Sequence, residues 1–260
     1  MEMILLYLLI GCLAGVLAGM LGVGGGLVIV PFLFWAFIHQ GFDGAWVMHL
    51  AIGTSLATII FTSISSVLSH HKRDAVRWDL FWMLVPGILI GGWIGSTLAR
   101  FIASESLQHF FAIFELIVAL QMGLELRPKG GHQMPGKSGN RMAGGVIGAV
   151  SVVVGIGGGT MPVPWLVWNR IQVHQAIGTS AAVGLPIAVA GASGFVSSGW
   201  GIESLPSWSS GFVYWPAFFG IVGMSVLTAP LGAHLAHKLP AKQLKRVFAL
   251  FLLLLAIRMV

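Results

Sequence analysis

Residues 22–31 read GVGGGLVIVP, and residues 155–164 read GIGGGTMPVP. The same four glycines and the same closing proline stand 133 positions apart. A glycine inside a helix costs about 1 kcal/mol relative to alanine, so such a cluster interrupts any helix that runs into it. A breaker used twice in the same form makes the chain two like halves. The rest of the sequence agrees: HLAIGTSLA (49–57) matches HQAIGTSAA (174–182) at an offset of 125. Beyond it the offset is 137, which sets Val76 and Trp78 on Val213 and Trp215, Gly95 on Gly232, Phe111 and Ala112 on Phe248 and Ala249, and Met122 on Met259. An internal duplication covers nearly the whole chain.

The halves are built for lipid. The 260 residues are 57% hydrophobic and 8% charged, with a mean hydropathy of +0.91. Soluble domains carry roughly 25% charged residues, so this chain cannot cover a water-facing surface, and the bilayer is its solvent. In that setting the net charge of +6 reflects basic loops on one side of a membrane and not a nucleic-acid partner. One cysteine, Cys12, excludes an internal disulfide and any cysteine-rich metal site. No cofactor or metal is expected. The N-terminus carries Glu2 in place of a basic n-region, so no signal peptide is read there.

Apolar stretches fall at 3–21, 27–38, 44–69, 78–102, 105–125, 141–154, 160–169, 175–198, 213–237 and 241–260. Spanning needs about 20 residues. The stretches 27–38 and 160–169 are too short, and each follows a glycine cluster, so each half is expected to open with a glycine-broken re-entrant helix pair. Three spanning helices then follow in each. Equivalent loops carry opposite charge bias. Segment 70–78 holds Lys72, Arg73 and Arg77, while its counterpart 199–212 has no Lys or Arg and carries Glu203. The turn 237–246 holds Lys238, Lys242, Lys245 and Arg246, while its counterpart 100–108 holds only Arg100. Under the positive-inside rule these equivalents lie on opposite sides. Threading with 70–78 inside also puts the linker 127–141 (Arg127, Lys129, Lys137, Arg141) and Arg170 inside, leaving only Arg100 and Arg258 of the 14 basic residues elsewhere. The expectation is an all-α integral membrane protein of the cytoplasmic (inner) membrane. Its first inverted repeat is 1–126, its linker 127–141 is cytoplasmic, its second repeat is 142–260, and both termini lie outside.

Inverted repeats bring their breaks together near the bilayer midplane. A break frees backbone N–H groups, and in hydrocarbon each unsatisfied group costs several kcal/mol. Irregular backbone survives there where it lines a cavity or binds something. The half-helix after each break points its N-terminus at the break, with free donors and roughly half a positive charge. Gly24, Gly25 and Gly26, with Gly157, Gly158, Gly159 and Thr160, are therefore candidate anion ligands. Close packing of helices is the competing use of such glycines. A nucleotide-binding loop does not fit, because no strand precedes the glycines and no Gly-Lys-Ser follows them.

The repeated Ala-Ile-Gly-Thr-Ser supplies Thr54, Ser55, Thr179 and Ser180 as candidate hydroxyl ligands. Thr54, Thr58, Thr62 and Ser66 form one stripe at i, i+4 spacing, which suits helix–helix hydrogen bonding equally well. His49 and His174 are repeat equivalents, each near a helix start, and serve helix packing or ligand contact. Glu115 is the one carboxylate deep in a predicted span, and its partner position holds Leu252. An intramembrane acid is a candidate for coupling to a proton; a protonated, hydrogen-bonded core residue is the other reading. Nearly every Lys and Arg sits at a loop or helix end, so an anion here is held without a buried cation. That suits a small oxyanion.

With these doubled motifs, the chain resembles the TauE/SafE sulfite exporter family of integral membrane permeases over essentially its full length. The resemblance implies transport of sulfite, thiosulfate, sulfoacetate or a related small inorganic or organosulfur anion, often outward, as a secondary transporter and not an enzyme. The second glycine motif departs from the first by an extra proline, Pro162, so the two half-sites need not be identical. A passive anion channel is the alternative. An intramembrane serine hydrolase is another, since Ser55 and Ser180 each stand six residues after a histidine. A nucleophile, however, needs one activated serine with a positioned base, and here the serines are duplicated.

Overall fold

The structure, a computed structural model, describes residues 2–21, 25–124, 131, 133–238 and 241–259. Over these the protein is all-α. The first half contributes α1 (Glu2–Leu21), α2 (Gly26–His39), α3 (Val47–His71), α4 (Trp78–Ala99) and α5 (Ser104–Gly123). The second contributes α6 (Lys137–Val154), α7 (Pro162–Trp168), α8 (Val173–Ser198), α9 (Trp215–Lys238) and α10 (Ala241–Met259). Two short strands, β1 (Ser209–Ser210) and β2 (Val213–Tyr214), pair antiparallel ahead of α9.

Among the described residues six helices, α1, α3, α4, α5, α8 and α9, are long and apolar enough to cross a membrane. The 19-residue α10 is also long, but it carries Lys242, Lys245, Arg246 and Arg258. The 14 residues of α2 and the 7 of α7 rise only about 21 and 10 Å at 1.5 Å per residue. Both fall short of a hydrocarbon core of about 30 Å.

Helices α3 and α8 form the centre, with 78% and 72% of their spans buried. Leu56 lies against Gly191 and Ser63 against Gly184. Positions rise on α3 as they fall on α8, so these two repeat-equivalent helices run antiparallel. The same holds for α5 and α10: Gln108 Nε2 donates to the Met259 carbonyl at 2.6 Å, while Gly123 packs on Ala249.

Around this centre α1 lies along α9, and α6 along α4. Glycine sets the spacing. A Cβ on Gly144 or Gly148 would stand 2.4 and 2.5 Å from the carbonyl oxygens of Leu84 and Ile88. At the equivalent places in the other half, a Cβ on Gly11 or Gly15 would stand 2.6 Å from the carbonyl oxygens of Ile221 and Ser225. Gly95 meets Ala149 as Gly232 meets Val16. These are backbone-to-backbone contacts between small-residue faces, the means by which helices adhere in lipid. The outer faces leave large apolar side chains exposed, among them Leu9 and Leu13 of α1, Ile90 and Trp93 of α4, Ile117 of α5, Leu227 of α9 and Leu254 of α10.

Three details differ from the sequence expectation. The chain before the first break packs mainly on α9 and little on α2, because its Gly11 and Gly15 match α9. Helix α6 starts at Lys137, inside the expected linker. Segment 199–212, read as a plain loop, holds the first strand of the β pair.

Candidate functional site

The two glycine breaks lie against each other. Gly26, the first residue of α2, faces the end of α6 so closely that a Cβ on it would stand 2.5 Å from the Gly155 carbonyl oxygen. Ile59 of α3 reaches both breaks, lying beside Gly26 and Gly157. Gly25 caps α2 in the left-handed region at φ +80°, and its carbonyl accepts the N–H groups of Val28 and Ile29, each at 3.0 Å. Gly155 caps the other end of the junction, closing α6 at φ +77°. Both conformations are ones that side-chain-bearing residues rarely adopt. Gly24 lies outside the described residues.

The second break is pressed onto α8. A Cβ on Gly158 would collide with the Ser180 carbonyl oxygen at 1.9 Å, and the Gly159 N–H donates to Ser180 Oγ at 2.6 Å. Ser55 of α3 donates to the Gly155 carbonyl at 3.0 Å. The two repeated serines therefore both hold the second break, from opposite central helices.

The repeated threonines do something else. Thr54 Oγ1 accepts the Tyr214 N–H at 3.0 Å, and Thr179 Oγ1 accepts the Arg77 N–H at 2.9 Å. The preceding glycines clear the way: a Cβ on Gly53 would stand 2.3 Å from the Phe212 carbonyl oxygen, and one on Gly178 2.4 Å from that of Ala75. In each half the Gly-Thr of the motif is a slot that grips the backbone leading into α9 or α4 of the other half. Thr58 and Thr62 bond back to carbonyls of their own helix. Sequence reasoning missed the role of Gly53 and Gly178. Their signal was present, since Ala75 and Phe212 are also repeat equivalents.

What remains for a ligand is a set of donors at the second break. Among the described residues, the N–H groups of Gly157, Gly158 and Thr160 find no acceptor, and Thr160 Oγ1 is buried without a partner. Ser151, one turn before the break, is fully buried with an unpartnered hydroxyl, and Trp165 Nε1 is buried and unpartnered on α7. Spacing gave no hint of either, and their first-half equivalents are Ala18 and Phe32. The half-helix ends are unequal. Helix α2 has four turns behind its N-terminus, whereas α7 has two and begins with Pro162 and Pro164 at its first and third positions. Proline has no N–H to offer, so of the first three positions of α7 only Val163 carries one, and on that side most of the donors come from the loop.

The remaining candidates are scattered. His49 is fully buried with Nε2 2.9 Å from the Ala99 carbonyl, its ring against Trp46 and Phe212. His174 is exposed. Ile171 and Ala75 stand where the aromatic cover of His49 would be, so sequence equivalence does not carry environment with it. Among the described residues neither Ser55 nor Ser180 hydrogen-bonds a histidine. Glu115 is fully buried on α5, and among the described residues neither carboxyl oxygen has a hydrogen-bond partner. Among the described residues no three His, Cys, Asp or Glu side chains come together as a metal site would require.

The family described as sulfite exporter TauE/SafE matches residues 7–259. A probable membrane transporter protein of Haemophilus influenzae is 39% identical over 98% of this chain and 97% of its own length. Probable membrane transporter proteins of Bacillus subtilis (YunE, 27% identical, 100% and 98% covered) and of Methanocaldococcus jannaschii (26%, 92% and 89%) are more distant. No solved structure matches the chain.

Proposed function

The chain belongs to the sulfite exporter TauE/SafE family, and we propose that it is a secondary transporter exporting a small sulfur-containing oxyanion, such as sulfite or an organosulfonate, across the inner membrane. The observation that carries the anion reading is the loop Gly157–Thr160: three backbone N–H groups and one hydroxyl, buried or half-buried, without an acceptor among the described residues. Donors left unpaired at that depth are costly unless something accepts from them. Successive N–H groups in an irregular turn form an anion-binding concavity. The N-terminus of α2 abuts it through Gly26 and Gly155, adding the positive end of a four-turn helix.

Alternating access suits this frame. The antiparallel course of α3 and α8, which the repeat makes equivalent, supports inverted repeats with the breaks near the midplane. The anion would sit between the breaks, with Gly25, Gly26, Gly157, Gly158, Gly159 and Thr160 around it, and Ser55 and Ser180 holding the loop in shape. Thr54 and Thr179 act at one remove, as grips between the halves.

Proteoliposome counterflow tests the reading. Vesicles loaded with unlabelled sulfite should accumulate labelled sulfite transiently and with saturation. Flux that neither saturates nor responds to trans anion would establish a channel, and absence of any flux of sulfite, thiosulfate or a sulfonate would remove the substrate class.

A further inference from the structure

We propose that Glu115 is a proton-binding site and that its proton crosses the membrane together with the anion, an inference that rests on the transporter reading. Glu115 lies a little past the middle of the 20-residue α5. The contacts of Gln108 with Met259 and of Gly123 with Ala249 fix how α5 and α10 cross. Between them Glu115 falls opposite the middle of α10, where Leu252 and Leu255 are buried. Two antiparallel, repeat-equivalent helices cross halfway along each other, so this carboxyl sits at the depth where a charge is least tolerated.

Among the described residues nothing there compensates it. Both oxygens lack a hydrogen-bond donor, and the repeat partner position is a leucine. The titratable groups on the helices packed against α5 all stand towards helix ends: His49, His70 and His71 on α3; Lys137 and Arg141 on α6; Lys242, Lys245, Arg246 and Arg258 on α10. On α5 itself Glu105 and His109 are exposed near its start. A carboxylate without a donor or cation in a low-dielectric interior is held in its neutral form. An acid kept only for packing would be replaced at no loss by the leucine its equivalent position already uses. What the acid offers beyond leucine is an exchangeable proton. The bond made and broken is the carboxyl O–H, with water on either side as donor and acceptor, and one proton moving per anion in the same direction leaves the transport of a monoanion electroneutral.

The test uses the full chain in proteoliposomes, with Glu115→Gln, Glu115→Asp and Glu115→Leu. Sulfite is the probe, and protein-free vesicles are the blank. Two transport readouts are taken: counterflow at equal pH on both sides, and accumulation driven by an imposed pH gradient with a pH-sensitive dye in the lumen. Glu115→Gln and Glu115→Leu should keep counterflow within about two-fold of wild type and lose at least ten-fold of gradient-driven accumulation and the accompanying dye signal; Glu115→Asp should retain part of both. Infrared spectroscopy supplies a readout independent of transport: the carbonyl band of a protonated carboxylic acid present in wild type at neutral pH and missing in Glu115→Gln. Wild-type gradient-driven accumulation in Glu115→Gln, or absence of that band from wild type, overturns the inference. Loss of counterflow in wild type itself overturns the transporter reading instead, while the band still decides whether the proton is bound.

Discussion

Thr54 of the first half accepts the backbone N–H of Tyr214 in the second, and Thr179 of the second accepts that of Arg77 in the first, at 3.0 and 2.9 Å. Because α3 and α8 run antiparallel and both threonines lie near their helix starts, the two bonds stand at opposite ends of the central pair. Each end thus has one such Gly-Thr grip between the halves, and both are closed in this structure. The surroundings differ: Arg77 is paired with Asp79, whereas Tyr214 packs among Tyr7, Phe37 and Phe42. In an alternating-access cycle one grip would open while the other holds, so the two ends are expected to loosen under different conditions.

Thr54→Val and Thr179→Val should each destabilise the protein by about 1 kcal/mol or somewhat more, because a part-buried N–H loses the acceptor it has in this structure. Thr→Ser at either place keeps the hydroxyl and should restore most of the loss. Thermal unfolding in detergent, followed beside anion affinity, separates the roles. A large loss of affinity with unchanged melting would return these threonines to the anion site.

The glycine faces make a sharper contrast within one helix. On α9, a Cβ at Gly232 would stand 2.0 Å from the Val16 carbonyl oxygen, while one at Gly223 meets nothing within 4 Å. Gly232→Ala should force α1 away from α9 and cost about 1–3 kcal/mol, the usual scale of overpacking. Gly223→Ala should be neutral or slightly stabilising, since alanine is the better helix former. Equal behaviour of the two variants in a melting experiment would mean that the α1–α9 interface is not set by glycine contact.

Much of this architecture was legible before the structure. The apolar stretch 78–102 became Trp78–Ala99, 27–38 became Gly26–His39, and the shortness of the segment after each break was plain from the hydrophobic pattern. The division of labour inside Ala-Ile-Gly-Thr-Ser was not. Neighbouring residues on a helix point about 100° apart, so Thr54 and Ser55 face different partners, and only the register of α3 against the rest of the fold says which faces the break. The weakness of α7 as a donor could have been read from Pro162 and Pro164, whose missing N–H groups are visible in the sequence. Burial of His49 but not His174 depends on Trp46 and Phe212, residues whose convergence no local pattern announces.

Topology can be checked with single cysteines in a Cys12→Ala background. Lys72 and Ser204 are both exposed, in loops that the inverted arrangement puts on opposite sides. An impermeant thiol reagent added to intact cells should label Ser204→Cys and spare Lys72→Cys, with the pattern reversed in inside-out vesicles. Labelling of both from one side would break the inverted threading and with it the placement of the two breaks at one depth.

The proposed anion site is tested most directly at a hydroxyl that has no other partner among the described residues. Thr160 Oγ1 is buried and unpartnered, whereas Ser180 Oγ already accepts the Gly159 N–H. Removing a hydrogen-bonding group hurts stability only when a partner is left behind. Thr160→Val, nearly isosteric, should therefore leave the melting temperature unchanged or slightly raised. It should weaken anion binding by about 1.5–3 kcal/mol, the scale of a hydrogen bond to a charged group. Ser180→Ala should lower both, since it orphans the part-buried Gly159 N–H in the loop proposed to form the site. Charge selectivity follows from the same inventory. With α7 short and proline-capped, the positive end of α2 and a few neutral donors must offset the ligand without a buried cation, which favours a monoanion over a dianion. Titration of purified protein should show hydrogen sulfite or a small sulfonate binding more tightly than sulfate, with sulfite binding strengthening as pH falls and sulfonate binding much less affected. Tight sulfate binding independent of pH, or a Thr160→Val variant with wild-type affinity for every anion, would place the site elsewhere than this loop.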